Sequence, residues 1–164
     1  MESQQKKRSS LGKPVVIGCT AIFLVVLVMG ALILGAIIWL FSGPEGGVKL
    51  ANEMDQYALD YLEANNILEP NEALIAYYDV TISMDGTEAA ILTTERVIYH
   101  KEGRTTAIRL DEIEDIQHRY ESLTGDVIEV TSSSGVTIKI EIAPLNQGET
   151  FNNVLMNAWE RTQK

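Results

Sequence analysis

The chain has 164 residues, with 23 Asp and Glu against 13 Lys and Arg, a net charge of −10 and one cysteine. A single cysteine excludes an intramolecular disulfide and any cysteine-based metal site. The acidic excess is concentrated after residue 43, where 22 acidic residues stand against 9 basic ones; such a surface repels nucleic acid phosphates and anionic headgroups, which argues against nucleic-acid binding.

Residues 1–14 are polar and basic, with Lys6, Lys7, Arg8 and Lys13 close together. Val15 to Phe41 then runs 27 residues without a charge. A helix of that length, at about 1.5 Å per residue, reaches roughly 40 Å and exceeds the hydrocarbon core of a bilayer, about 30 Å. The run is read as one uncleaved transmembrane helix. Pro14 suits a first helical turn, and Trp39 suits the membrane interface. A cleaved secretory signal has an apolar core of about 7–15 residues and a small-residue cleavage site, unlike Leu40-Phe41-Ser42-Gly43-Pro44. A lipoprotein leader is also a poor match, because the long apolar stretch follows Cys19 instead of preceding it. Four cationic residues precede the span and only Lys49 follows it closely. The positive-inside rule therefore places 1–14 in the cytoplasm, the span in the plasma (inner) membrane, and everything beyond it outside the cytoplasm. Ala31 and Gly35 form a small-xxx-small pair, which leaves a homo-oligomer open.

Residues 42–47 read as a Gly/Pro linker. Residues 48–66 read as an amphipathic helix, with Leu50, Met54, Tyr57, Ala58 and Tyr61 at helical spacing and Asn65-Asn66 as its stop. Leu50, Met54, Tyr57 and Tyr61 form the candidate partner-binding face; the alternative for the tyrosines is packing on the domain itself. From residue 72 the period changes to two. Val136, Ile138, Ile140 and Ile142 alternate with polar residues, as in a half-buried strand. Seven strands are predicted near 73–82, 87–94, 96–100, 105–110, 115–121, 126–132 and 136–142, mostly separated by glycine-bearing turns. That pattern indicates a sandwich or a partly open barrel. Phe151, Val154, Leu155, Ala158 and Trp159 then make one apolar helical stripe, with Asn146 and Glu149 spaced as a capping box.

Seven antiparallel strands followed by one helix resemble the pleckstrin-homology-like (PH-like) fold. Ile91-Leu92-Thr93-Thr94-Glu95-Arg96-Val97-Ile98-Tyr99 resembles the Leu-Thr-x-x-Arg-hydrophobic-hydrophobic-Tyr segment of bacterial PH-like and GRAM domains. Leu68-x-x-x-Glu72 resembles their first-strand opening, with Asn71 where Gly is usual, and Leu110-x-x-Ile113-x-x-Ile116 resembles their strand-four to strand-five linker. Trp159 matches the tryptophan of their last helix. The resemblance implies a binding or scaffolding module without chemistry of its own. It does not carry phosphoinositide binding to this chain, because the first hairpin, Asp79 to Glu88, has no Lys or Arg to pair with a phosphate.

No nucleophile–base, phosphate-loop or metalloprotease pattern is present, and no cofactor is expected. His100 and His118 stand apart in strand segments, and Asp111, Glu112, Glu114 and Asp115 lack the spacing of a calcium loop. The expected molecule is thus a single transmembrane α-helix plus a mainly-β domain, a seven-stranded PH-like partly open barrel over 67–164 capped by a C-terminal helix. Its expected function is non-catalytic: a membrane-tethered module for protein–protein interaction. The alternative is lipid or small-ligand sensing at the membrane surface.

Overall fold

The computed structural model describes residues 27–34 and 46–163. The chain divides into two compact units, residues 1–43 and 44–164. In the first, residues 27–34 are helical, and most of their side chains point outward. Among the described residues no helix is long and apolar enough to cross a membrane. The basic tail, the remainder of the expected span at 15–41 and the first part of the linker lie outside the described residues.

The second unit is mainly β. Eight strands occur: β1 (Lys49–Leu50), β2 (Leu74–Asp79), β3 (Glu88–Thr93), β4 (Arg96–Lys101), β5 (Arg104–Arg109), β6 (Ile113–Glu121), β7 (Gly125–Ser132) and β8 (Thr137–Ile142). Two helices accompany them, α1 (Gln56–Ala64) and α2 (Gly148–Thr162). All pairings are antiparallel, in a five-stranded sheet ordered β1-β2-β3-β4-β5 and a three-stranded sheet ordered β6-β7-β8. The seven expected strands are all present. They do not close a barrel, since no ladder joins the two sheets. The break falls at Leu110–Glu112, a 3-10 turn that ends β5 before β6 begins. Leu110, its first residue, and Ile113, just after it, are buried, so apolar anchoring takes over where hydrogen bonding stops.

Strand alternation sorts side chains into two cores. Ala76, Tyr78, Ala90, Leu92, Val97 and Ile108 face the three-stranded sheet, and with Ile128, Val130, Ile138, Ile140, Ile142 and the α2 stripe Phe151, Leu155 and Ala158 they form the main core. The opposite face of β2–β4 is also covered. There Tyr77, Ala89, Ile91 and Ile98 pack with Ala58, Leu62 and Ile67. Strands buried on both faces lose their alternation, and Ala89-Ala90-Ile91-Leu92 is accordingly one apolar run.

Three local expectations are corrected. The helix expected over 48–66 begins only at Gln56, after strand β1 and a 3-10 turn at Ala51–Glu53. The physical reason is the edge of β2: Lys49 and Leu50 pair with Tyr77 and Ala76 and so satisfy backbone groups that another helical turn would leave bare. The Asn146–Glu149 capping box does not form, because the N-cap position is Gln147, at φ 63°, without a side-chain cap hydrogen bond. The Asn146 carbonyl instead accepts a hydrogen bond from Val48 N at 2.9 Å. Val136 lies outside β8 and is 44 % exposed.

Candidate partner-binding face

Helix α1 places its residues by angle, about 100° apart. Ala58 and Leu62, one turn apart, face the sheet and are buried. Tyr57 and Tyr61 fall on one flank, and Leu59 and Glu63 on the other.

The tyrosine flank is fastened to the sheet by polar contacts. Asp79, at the end of β2, is 1 % exposed. Its carboxylate accepts hydrogen bonds from Tyr57 Oη at 3.1 Å, Thr81 N at 2.8 Å, Thr81 Oγ1 at 2.5 Å and Gly86 N at 3.0 Å. His100, two strands away in the row Asp79–Ala89–His100–Thr105, is 2 % exposed. Its Nε2 lies 3.1 Å from Tyr61 Oη, and its Nδ1 lies 3.0 Å from Thr105 Oγ1. The Tyr61 ring meets the imidazole edge-on, with centroids 5.6 Å apart. Burial pushes the His100 pKa down. Burial first, and then the charge of Asp79, pushes the Tyr57 and Tyr77 hydroxyls far up. The phenols therefore stay protonated near neutrality and the imidazole stays neutral, an arrangement that clasps α1 to the sheet.

The segment after α1 is held by a second polar cluster. Glu72, with its side chain 1 % exposed, accepts from Arg96 Nε at 2.9 Å, Arg96 Nη2 at 3.0 Å, Thr93 Oγ1 at 2.5 Å and Glu69 N at 2.8 Å. Arg96 Nη2 also donates to Ile67 O at 3.0 Å. Burial alone would raise the Glu72 pKa, but Arg96, the Glu69 amide and Thr93 together hold it below its ordinary value. The Thr and Arg of the Leu-Thr-x-x-Arg segment thus share one buried carboxylate supplied by the Leu68–Glu72 segment. Asn71 between them has φ 74°, a left-handed conformation that glycine adopts freely and asparagine tolerates.

Of the four residues expected on one face, the structure brings three together. Met54, Tyr57 and Tyr61 pack partly buried against the outer core, whereas Leu50 belongs to β1 and packs on the main core. The accessible apolar feature of α1 is on the other flank: Leu59 is 40 % exposed and borders a groove of about 280 Å3 lined by Leu59, Leu62, Glu63, Asn66 and Leu68. Leu59 stands outside the apolar stripe of the sequence. Its signal was that very position, a leucine among exposed polar residues. His118 lies on β6 with Nε2 2.7 Å from Asp126 Oδ1, far in sequence from His100 and its partners. Asp111 pairs with Arg109, and Asp115 accepts from Gln117. Among the described residues no group of three or more His, Cys, Asp or Glu converges as metal ligands would.

The family model described as Bacterial PH domain matches residues 68–157. The chain belongs to the bacterial PH domain family. No curated protein matches it. Among solved structures, it is similar to that of a DUF1696 family protein with a pleckstrin-homology domain from Shewanella loihica, at 13 % identity and a TM-score of 0.50, over 70 % of this chain and 98 % of that one. That likeness is one of fold, two antiparallel sheets and a C-terminal helix. The bacterial PH domain segment begins at residue 68, so β1 and α1 precede the segment that the family model matches.

Proposed function

We propose that this protein is a membrane-tethered, non-catalytic module that presents its PH-like domain to a protein partner, with the exposed flank of α1 as the docking face. The supporting observation is the combination of a charge-free run at 15–41 with a binding-type domain whose helix α1 carries an apolar groove beside Leu59. In this reading the N-terminus is cytoplasmic and the domain lies across the plasma (inner) membrane, as the flanking charges direct. The occupant of the groove is a membrane or envelope protein with an apolar anchor of one or two side chains, which a groove of this size accommodates.

Two measurements test the reading. A reporter that is active only outside the cytoplasm, fused after residue 164, should be active; activity of a cytoplasm-only reporter instead would overturn the orientation. Photocrosslinking from Leu59 and Glu63 in cells should capture one common protein, which is lost with Leu59→Glu and not captured from Arg109 on the exposed edge strand. Equal capture from all three positions would sink the docking face.

A further inference from the structure

Three of the most exposed large apolar side chains of the domain lie on three different loops: Ile82 at 78 %, Leu123 at 95 % and Leu145 at 89 %. The loops are the β2–β3 connection (residues 80–87), the β6–β7 turn (122–124) and the β8–α2 connection (143–147). They gather at one end of the domain. Gly125 lies so close to the third loop that an added Cβ would sit 2.2 Å from Ile142 O and 2.7 Å from Pro144 N, which makes the 122–124 turn and the 143–147 connection neighbours.

The described part of the domain begins at the same end. A Cβ on Gly46 would meet Met84 Cε at 2.9 Å, and one on Gly47 would meet Asn146 O at 3.1 Å; Val48 N donates to Asn146 O at 2.9 Å. Gly46 and Gly47 therefore lie between the first and third loops. Only residues 42–45 separate Gly46 from Phe41, the last residue of the charge-free run.

The three loops themselves are poor in charge: segments 122–124 and 143–147 contain no charged residue and 80–87 contains only Asp85, while the β4–β5 turn beside the first loop, where Glu102 N donates to Thr87 O at 2.8 Å, carries Lys101, Glu102 and Arg104. Asp85 is occupied within its own loop by Ser83 Oγ at 2.7 Å, Thr87 N at 3.0 Å and Thr87 Oγ1 at 2.7 Å. Leu145 adopts φ 73°, an unfavourable conformation for a leucine, and presents its side chain almost entirely to the surroundings. Full exposure of three apolar side chains in water leaves the stabilisation from their burial unrealised.

We propose that this end of the domain rests on the bilayer, with Ile82, Leu123 and Leu145 seated in the lipid interface and the acidic remainder turned away. The inference builds on the reading of residues 15–41 as a membrane span. It adds a fixed face: the loops at the tether lie on lipid, which leaves the α1 flank free for a partner.

The full chain with Cys19→Ala, carrying Ile82→Cys, Leu123→Cys or Leu145→Cys singly, is labelled with an environment-sensitive fluorophore and reconstituted in phosphatidylcholine vesicles. Ser133→Cys, in the β7–β8 turn at the far end of β7 from Gly125, is the reference. The three loop probes should be quenched at least twofold more than the reference by lipids spin-labelled near the headgroup. Quenching equal to the reference would overturn the proposal, and so would shielding from aqueous iodide without lipid quenching, which indicates a second copy of the chain on this end. Alkaline carbonate extraction of the same vesicles separates the two readings: release of the chain removes the membrane span and the inference together, while retention with unquenched loop probes removes the inference alone.

Discussion

Glu72 shows most sharply how a single side chain can hold a family's signature together. Its carboxylate is buried against Arg96 and Thr93, and removing one member of a buried pair strands the other, at a cost of about 3–5 kcal/mol. Glu72→Ala and Arg96→Ala should each lower stability by about that amount in urea unfolding. The pH dependence has a definite sign. The folded-state pKa of Glu72 lies below its ordinary 4.5, so its contribution is complete above that value and is lost as the pH falls through the folded value. Glu72→Gln should flatten that acid limb. His100 acts in a separate window. Burial holds its folded-state pKa below 6.5, so the unfolded chain takes up the proton first and stability falls as the pH drops below about 6.5. Thermal melts from pH 7 to 5 should show this slope, and His100→Gln should reduce it.

Helix α1 lies just before the segment that the family model matches. Its hold is partly apolar and partly polar, and the two parts can be separated. Leu62→Ala removes a buried side chain and should cost about 2–5 kcal/mol. Tyr57→Phe removes one hydrogen bond from an Asp79 that retains three other donor groups, and should cost about 1 kcal/mol; urea unfolding of the two variants checks the ratio. The strands were legible in the sequence because Ile138, Ile140 and Ile142 alternate cleanly and each glycine-bearing turn marks a reversal. The position of α1 was not legible. Leu50 and Met54 continue the helical spacing of Tyr57 and Tyr61, and nothing local announces that the edge of β2 will claim Lys49 and Leu50. The tyrosines share a flank, as their spacing required, but the buried partners that turn that flank inward, Asp79 and His100, come from strands 22 and 39 residues away. The one available hint was Ala89-Ala90-Ile91-Leu92, an apolar run that signals a strand covered on both faces.

At the scale of the whole molecule, the outer core makes the domain dependent on what precedes its matched segment. A chain beginning at residue 68 would expose Tyr77, Ala89, Ile91 and Ile98 together, an apolar patch of the kind that drives association. Such a truncation should aggregate or bind a hydrophobic dye strongly, whereas Leu59→Glu, at an already exposed position, should remain monodisperse by size-exclusion chromatography.

The strand nearest the N-terminal end of the domain is also the shortest. β1 offers two residues of pairing, reinforced by the hydrogen bond from Val48 to Asn146. Tension along the polypeptide from the N-terminal side reaches this latch before it reaches any long ladder. Once Lys49 and Leu50 peel away, the load passes to α1 and its clasp at Asp79 and His100, while the sheets behind remain intact. Pulled from its N-terminal end in an optical trap, the domain should therefore lengthen in two steps: a small, low-force extension of roughly the 46–67 segment, followed by a high-force rupture of the rest. A graded mechanical fuse of this kind would let a strained linker pay out slack and uncover the outer sheet face without unfolding the domain.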